Sequence, residues 1–141
     1  MNDDVLAEEL RQAIGQLVRA VRAADTMPPG EAAVLGHLDR GGPRTTADLA
    51  HLRGVTHQSA AKSVKELLGR GLVRAEPHPS DGRKLLLHIT EAGRACLRTE
   101  RERRADWLNT AIRDALGPDE QRQLRDCVPL LTRLATRIAG T

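Results

Sequence analysis

Two stripes of hydrophobic residues at helical spacing lie near the two ends of the chain. The first runs from Leu6 to Val21 and the second from Leu124 to Ile138. Apolar residues that recur every three or four positions predict amphipathic helices, so we expect a long helix at each end. In the second helix, Pro129 predicts a kink. The lobe between the stripes is too small to bury both, so we expect them to pack across a two-fold axis against a second copy of the chain.

The middle of the chain predicts two short helices that follow each other closely. Thr45 with Asp48 three residues later has the pattern of a capping box, and Gly54 is a typical helix end. Thr56 is the expected N-cap of the next helix. This order is typical of a helix-turn-helix. An earlier helix is expected after the two prolines at 28 and 29, with a buried side made of Val34, Leu35 and Leu38.

The helix after Thr56 is predicted to have two different faces. At about 100° per residue, the buried side consists of Ala60, Val64, Leu67 and Leu68. The other side carries His57, Gln58, Ala61, Lys62 and Lys65. This side is basic and almost free of acids, whereas a helix face that meets only water usually carries both signs of charge. It therefore indicates a helix that binds an anion.

Two predicted strands follow, at residues 72–77 and 84–89. Between them, Asp81 and Gly82 indicate a tight hairpin, because glycine accepts a positive φ. Leu85, Leu87 and Ile89 alternate with other residues and predict one inward face of the hairpin. Residues 91–116 predict a very long helix that ends at a Gly-Pro pair.

These elements predict a fold that is mainly α with a small β-hairpin wing (α+β). We expect a winged helix-turn-helix DNA-binding domain at residues 26–93 and dimerisation helices at residues 1–25 and 117–141. A long helix at residues 90–116 is expected to link the two lobes. Such a homodimer sets two recognition helices about one helical turn of DNA apart, or a multiple of it. The expected partner is therefore double-stranded DNA with a pseudo-palindromic operator.

Composition and cysteine usage indicate the kind of partner and the cellular compartment of the protein. The chain has 141 residues, a net charge of +3 and an isoelectric point near 9.4, which favours polyanionic partners only mildly. Cys96 and Cys127 are not spaced like zinc ligands or a CxxC pair, so we expect buried structural thiols in a reducing compartment. The acidic N-terminal segment and the absence of an apolar run of about 18 residues predict a cytoplasmic protein without a membrane partner.

The chain resembles the MarR family of bacterial transcriptional regulators over nearly its whole length. The residues that carry the resemblance are residues 46–50, residues 62–73, the wing residues 81–83, residues 89–93 and residues 116–120. The resemblance implies an obligate homodimer, a winged helix-turn-helix on each subunit, and usually repression that is relieved by a small ligand or by cysteine oxidation.

The resemblance also assigns roles to individual residues. In the wing, Arg83 matches the arginine that enters the minor groove, Asp81 matches the acid that holds the wing's shape, and Lys84 lies beside them. Glutamine suits a bidentate contact with adenine, lysine suits guanine or phosphate, and arginine suits a narrow minor groove. The residues that match the recognition helix are Thr56, His57, Gln58, Ser59, Lys62 and Lys65.

No cofactor and no metal site is expected, because the five histidines form no ligand pattern. In relatives the effector cleft lies between the dimer helices and the DNA-binding lobe, which points to the first helix, to residues 34–39 and to the long fifth helix. A small organic effector is therefore expected as a possible partner, but its binding residues stay unassigned. Candidates are His37 and Trp107, although Trp107, the single aromatic residue, equally fits packing in the dimer core.

Three other function classes compete with a sequence-specific repressor. A sequence-indifferent DNA-coating or architectural protein is disfavoured by the low net charge and by a wing tip without an apolar wedge. A redox-responsive regulator would need an accessible, acidic thiol. In peroxide-sensing members of the family that the chain resembles, the reactive cysteine lies in the first helix with tyrosines nearby, whereas this chain has no cysteine there and no tyrosine. An enzyme is not expected, because no nucleophile-base pair, phosphate loop or metal motif is present.

Overall fold

A computed structural model of the chain describes residues 3–140. Residues 1, 2 and 141, which close the predicted terminal segments, lie outside the described residues. The predicted fold class is confirmed, because the described part consists mostly of helices with one antiparallel hairpin. The elements are α1 (Asp3–Arg22), α2 (Pro29–Gly41), α3 (Thr46–Arg53), α4 (His57–Gly69), β1 (Val73–Pro77), β2 (Leu85–Ile89), α5 (Glu91–Ala115) and α6 (Pro118–Ala139).

The chain divides into two compact units, one up to Arg104 and the other from Ala105 onward. The hydrophobic core of the first unit is built by α2, α3, α4, the hairpin and the start of α5. The predicted buried side of α2 is confirmed. The largest side chains that are completely buried in this core are Leu35, Leu49, Leu67, Leu87 and Val34.

The helix-turn-helix begins and ends at the predicted residues. Thr45 Oγ1 accepts a hydrogen bond from Asp48 N at 3.1 Å, and Asp48 Oδ2 accepts one from Thr45 N at 3.1 Å. The bond from the Thr45 backbone keeps the pKa of Asp48 below its usual value. Gly54 ends α3 with a φ of 64°, and Thr56 Oγ1 accepts from Ser59 N at 3.1 Å to start α4. The local signals of the sequence therefore fix this turn.

The prediction of the buried side of α4 is confirmed for three of its four residues. Ala60, Val64 and Leu67 are buried, whereas Leu68 is exposed. Leu68 lies about 40° past Val64 around the helix, on the side away from the other two, because successive residues are about 100° apart. It therefore falls at the margin of the buried stripe. In α3, Leu52 is likewise exposed, since that short helix buries only Leu49 and Ala50.

The hairpin differs from its prediction in two details. Leu87 is 1% exposed and Ile89 is buried, but Leu85 is 52% exposed because it lies beyond the core at the start of β2. The described residues give Gly82 no positive φ. The tip between the strands is longer than a two-residue turn, and Lys84 N closes it by donating to the Asp81 carbonyl at 3.0 Å. Such a turn does not need a left-handed glycine at that position.

A third segment joins the hairpin, which the sequence did not predict. Arg44 forms an isolated antiparallel bridge with Leu87, through Arg44 N to Leu87 O at 3.2 Å and Leu87 N to Arg44 O at 2.8 Å. Arg44 directly precedes Thr45, the cap of α3. The wing is therefore fastened by backbone hydrogen bonds to the entry of the helix-turn-helix.

The start of α5 is locked against the base of the wing. Thr90 Oγ1 donates to the Gly71 carbonyl at 2.8 Å and accepts from Gly93 N at 3.1 Å, so Thr90 caps α5. Thr90 N also donates to the Leu72 carbonyl at 3.1 Å. Gly93 is buried at this junction, and a Cβ there would overlap the Leu72 carbonyl oxygen.

The apolar stripes of α1 and α6 stay largely uncovered in the single chain. Leu6, Ile14 and Leu17 of α1 are exposed, and α6 has no buried residue. The α6 helix continues through Pro129 to Ala139. Within residues 3–140, none of the helices has both the length and the apolar character that crossing a membrane requires.

The cysteines differ from each other in burial. Cys96 is half-buried and packs against the core of the first unit. Cys127 is exposed, so the prediction of a buried thiol is wrong for this residue in the single chain. Cys127 lies on the apolar stripe of α6, and no described residue of this helix is buried.

Candidate nucleic-acid interface

The outer face of α4 presents a row of polar and basic side chains to solvent. His57, Gln58, Lys62 and Lys65 are exposed, as the spacing predicted, whereas Ala61 of the same predicted face is half-buried. Ser59, which the family resemblance assigned to this helix, is also exposed. The opposite face of the helix is anchored in the core, so the orientation of these side chains is fixed by packing. The first turn of α4 contains no acidic residue. Its free backbone N–H groups and the positive end of the helix dipole are therefore open to a phosphate.

Thr56 and Ser59, the two hydroxyl residues at the start of α4, differ in which of their groups take part in the helix cap. The Thr56 hydroxyl oxygen is engaged by the Ser59 backbone N–H and caps the helix. It still has a proton to donate to an incoming anion. Ser59 contributes its backbone to the cap, which leaves its exposed hydroxyl available to a ligand.

The wing tip is shaped by Asp81 and carries an exposed arginine. Asp81 Oδ1 accepts from Arg83 N at 3.1 Å and from Arg83 Nε at 3.2 Å. The Arg83 side-chain bond, followed by the backbone bond, lowers the pKa of Asp81. The Arg83 side chain is 92% exposed, so this ion pair is weak and the guanidinium is free to exchange Asp81 for a phosphate or a groove edge.

The start of α4 and the wing meet in one shallow groove. A cavity of about 300 Å³ is lined by the start of α3, by His57 of α4 and by the wing residues Arg83, Lys84 and Leu85. The structure thus brings together residues that the sequence placed on two separate elements. Thr45, Thr46 and Ala47 complete the lining, and sequence reasoning assigned them no part in binding.

The two candidate ligand residues belong to different units of the chain, His37 to the first and Trp107 to the second. His37 is half-buried on α2, and burial followed by the charges of Arg40, Arg44 and Arg53 lowers its pKa. Trp107 lies on the part of α5 that belongs to the second unit, and 56% of it is exposed. His37 is not among the residues that line the groove between α4 and the wing.

Comparison with known proteins gives a consistent result. The sequence model of the MarR family matches residues 25–84, which span α2, α3, α4, β1 and the wing tip. An uncharacterized HTH-type transcriptional regulator of Mycobacterium leprae is 29% identical over 136 residues, with 94% of each chain covered. A solved Pseudomonas aeruginosa protein assigned as a transcriptional regulator is 31% identical, with a TM-score of 0.80 over 96% of this chain and 97% of that one.

The fold also matches that of a solved mutant of MarR from E. coli. The TM-score is 0.70, with 96% of this chain and 97% of that one covered, at 19% sequence identity. At this identity the match concerns the fold alone. It covers the helices at both ends as well as the winged middle.

Proposed function

Because the chain belongs to the MarR family of transcriptional regulators, we propose that it is a sequence-specific repressor that binds operator DNA as a homodimer and leaves it when a small molecule binds. The observation that supports DNA binding is the groove in which His57, at the start of the basic face of α4, lies together with Arg83 and Lys84 of the wing. An exposed helix of this kind fits the major groove, and a thin basic hairpin beside it reaches along the duplex.

In this proposal the residues of α4 and the wing have separate tasks. Gln58 reads a base edge, and Lys62 contacts guanine or a phosphate. Thr56, His57, Ser59 and Lys65 contact the backbone on either side and set the position of the helix. Arg83 enters the minor groove outside each half-site, while Asp81 holds the turn and Lys84 adds a phosphate contact.

The proposed dimer is supported by the apolar faces of the two terminal helices. Leu17 on α1 and Leu134 on α6 are among many large hydrophobic residues that the single chain leaves exposed. Apolar surface of this extent on a soluble protein marks an interface. A second copy of the chain supplies an equal surface, and a two-fold axis would match the symmetry of a pseudo-palindromic operator.

We expect Gln58→Ala and Arg83→Ala to weaken DNA binding in different ways. Loss of a base-edge contact at Gln58 should cost about 1–3 kcal/mol and relax the preference at one operator position. Arg83→Ala should weaken binding most on operators with A·T-rich flanks and lower the salt dependence by about one phosphate per subunit. Operators selected from random duplexes and then varied separately in core and flank, with affinity measured by anisotropy at several salt concentrations, test both.

Arg122→Ala is the matched control, because Arg122 is also an exposed arginine paired with a nearby aspartate, Asp119. This variant should bind every duplex as the unmodified protein does. Equal affinity for selected and random duplexes would instead identify a sequence-indifferent DNA-coating protein. If Gln58→Ala and Lys62→Ala both keep the original core preference, α4 is not the recognition helix.

A further inference from the structure

A second cavity of the first unit is lined by an unusual number of arginines. Its volume is about 340 Å³, and it lies between the end of α1, α2, the end of α3 and α5. One acid, Asp25, is part of its lining. The arginines that line it, here called the arginine cavity, are Arg22, Arg40, Arg53, Arg101 and Arg104.

The cavity exists because α2 turns small side chains toward it. Ala32, Ala33 and Gly36 follow one another along this side of the helix and line the cavity. A Cβ on Gly36 would lie 3.0 Å from Arg40 Nη1, and one on Gly30 would lie 3.1 Å from Arg53 Nη2. The guanidinium groups therefore reach close to the α2 backbone, where larger residues would exclude them.

Two of the five arginines are neutralised by acids. Arg104 forms two hydrogen bonds with the Asp25 carboxylate, at 2.6 and 2.8 Å, and this pairing raises the pKa of Arg104. Arg101 lies 3.4 Å from Asp39. These pairs hold α5 to the segment before α2 and to α2 itself. They leave little acidic charge for the remaining arginines.

The other three arginines have no acidic partner among the described residues: Arg22, Arg40 and Arg53. Arg53 Nη1 is buried and, within the described part of the chain, makes no hydrogen bond. A buried donor of a charged group is costly to leave without an acceptor, so an oxyanion that reaches Arg53 Nη1 would bind favourably. Burial, followed by the charges of Arg40, Arg44 and Arg53, lowers the pKa of the nearby His37.

We propose that the arginine cavity binds a compact small molecule with two or more phosphate or carboxylate groups. Guanidinium groups bind such oxyanions through paired hydrogen bonds, and three unpaired ones require more than one negative charge. The volume is within the range of small-molecule sites, which begins at about 300 Å³. Arg22 and Arg40 are exposed to water, and a largely apolar aromatic ligand would displace this water without replacing its hydrogen bonds.

The position of Arg53 connects this site to DNA binding, and this step rests on the proposed repressor function. Arg53 is the last residue of α3, and Gly54, Val55 and Thr56 separate it from α4. An anion that draws Arg53 toward Arg40 acts directly on the turn that positions the recognition helix. For the anion to release DNA, it must bind the protein with the altered turn more tightly than it binds the protein with the DNA-bound arrangement of this turn.

Calorimetry on the full chain without DNA tests the site itself. Pyrophosphate and citrate serve as probes, at constant ionic strength near the physiological value, and the tighter of the two identifies phosphate or carboxylate as the preferred group. We expect saturable binding that Arg53→Gln and Arg40→Gln each weaken by about 10- to 100-fold, since each removes charged hydrogen bonds. Arg98→Gln, an exposed arginine of α5 outside the cavity, should leave the affinity unchanged.

Any of three results would overturn the proposal. The first is that neither anion binds saturably, and the second is that Arg98→Gln weakens binding as much as Arg53→Gln does. The third is that a Lys62→Ala, Lys65→Ala double variant abolishes anion binding, which would place the anion on the DNA-binding face. Circular dichroism spectra of all variants must agree, so that a loss of binding reports on the site rather than on folding.

Titration of the better anion into a protein–operator complex then tests the link to DNA. The unmodified protein should release the operator, and Arg53→Gln should bind the operator but resist release. If both proteins stay on DNA, the anion is not the effector and the repressor proposal is untouched. If the chain selects no operator but still binds the anion through Arg53, the repressor proposal fails and the anion site stands.

Discussion

Replacing Gly93 with alanine should lower the free energy of unfolding by about 3 kcal/mol, at the upper end of the cost of overfilling a packed site. The added methyl group would overlap the Leu72 carbonyl oxygen and crowd Cγ1 of Ile89. The Leu72 carbonyl is part of the backbone and already accepts from Thr90 N at 3.1 Å, so it cannot move without weakening the cap of α5. The chain must therefore shift α5 away from the base of the wing.

Gly69→Ala is the matched control for this prediction. Gly69 is the last residue of α4, and a Cβ there meets no atom within 4 Å. Alanine should be neutral or stabilise the protein by up to about 1 kcal/mol, because glycine is the poorer helix former. Urea unfolding followed by circular dichroism, at one protein concentration for all variants, measures both. Equal stability of Gly93→Ala and the unmodified chain would show that α5 does not pack on the wing in this way.

The helix-turn-helix was predictable because its signals are local. The Thr45–Asp48 box, Gly54 and the Thr56 cap each act within a few residues of chain. A side chain that caps a helix, or a glycine that ends one, can be recognised without knowing the rest of the fold. The same holds for the outer face of α4, since helical periodicity determines which residues share a face.

Contacts between distant parts of the chain were not predictable in this way. Arg44 forms its bridge to Leu87 as a single residue, too short to show the alternation of a strand. Glu100 stands in a run of charged residues that reads as a solvated helix face, yet it is 4% exposed. It accepts from Thr26 N at 3.2 Å and also bonds the Thr26 hydroxyl. This partner lies 74 residues away, and no spacing rule connects the two.

The arginine cavity, which we propose as a binding site, could not be predicted from the sequence for the same reason. Arg22 and Arg104, both in its lining, are more than half the chain apart in sequence. The sequence alone indicates that the chain is basic and lacks tyrosine and phenylalanine, but not which arginines lie together. Their convergence depends on how α5 and α2 pack, which is settled by burial of apolar residues such as Leu97 and Leu35.

The proposed interface between two copies is the other place where a single substitution should have a large effect. Leu134 is 48% exposed and lies on the apolar stripe of α6. If a second copy covers this stripe, Leu134→Asp places a charge where water is excluded, which strongly opposes association. We expect a monomeric or partly unfolded chain. Operator affinity should fall by about 10²- to 10⁴-fold, because one subunit loses the gain from binding two half-sites together.

Thr136→Asp provides the control, since it adds the same carboxylate two residues away on the polar side of α6. It should sediment as a dimer and bind the operator normally. Sedimentation velocity at micromolar concentration, with anisotropy on the same samples, separates the outcomes. A Leu134→Asp protein that remains dimeric would remove α6 from the interface. An unmodified chain that is a folded monomer and binds its operator tightly would show that the exposed stripes serve another partner, because each half-site would then be read by one subunit without help from the other.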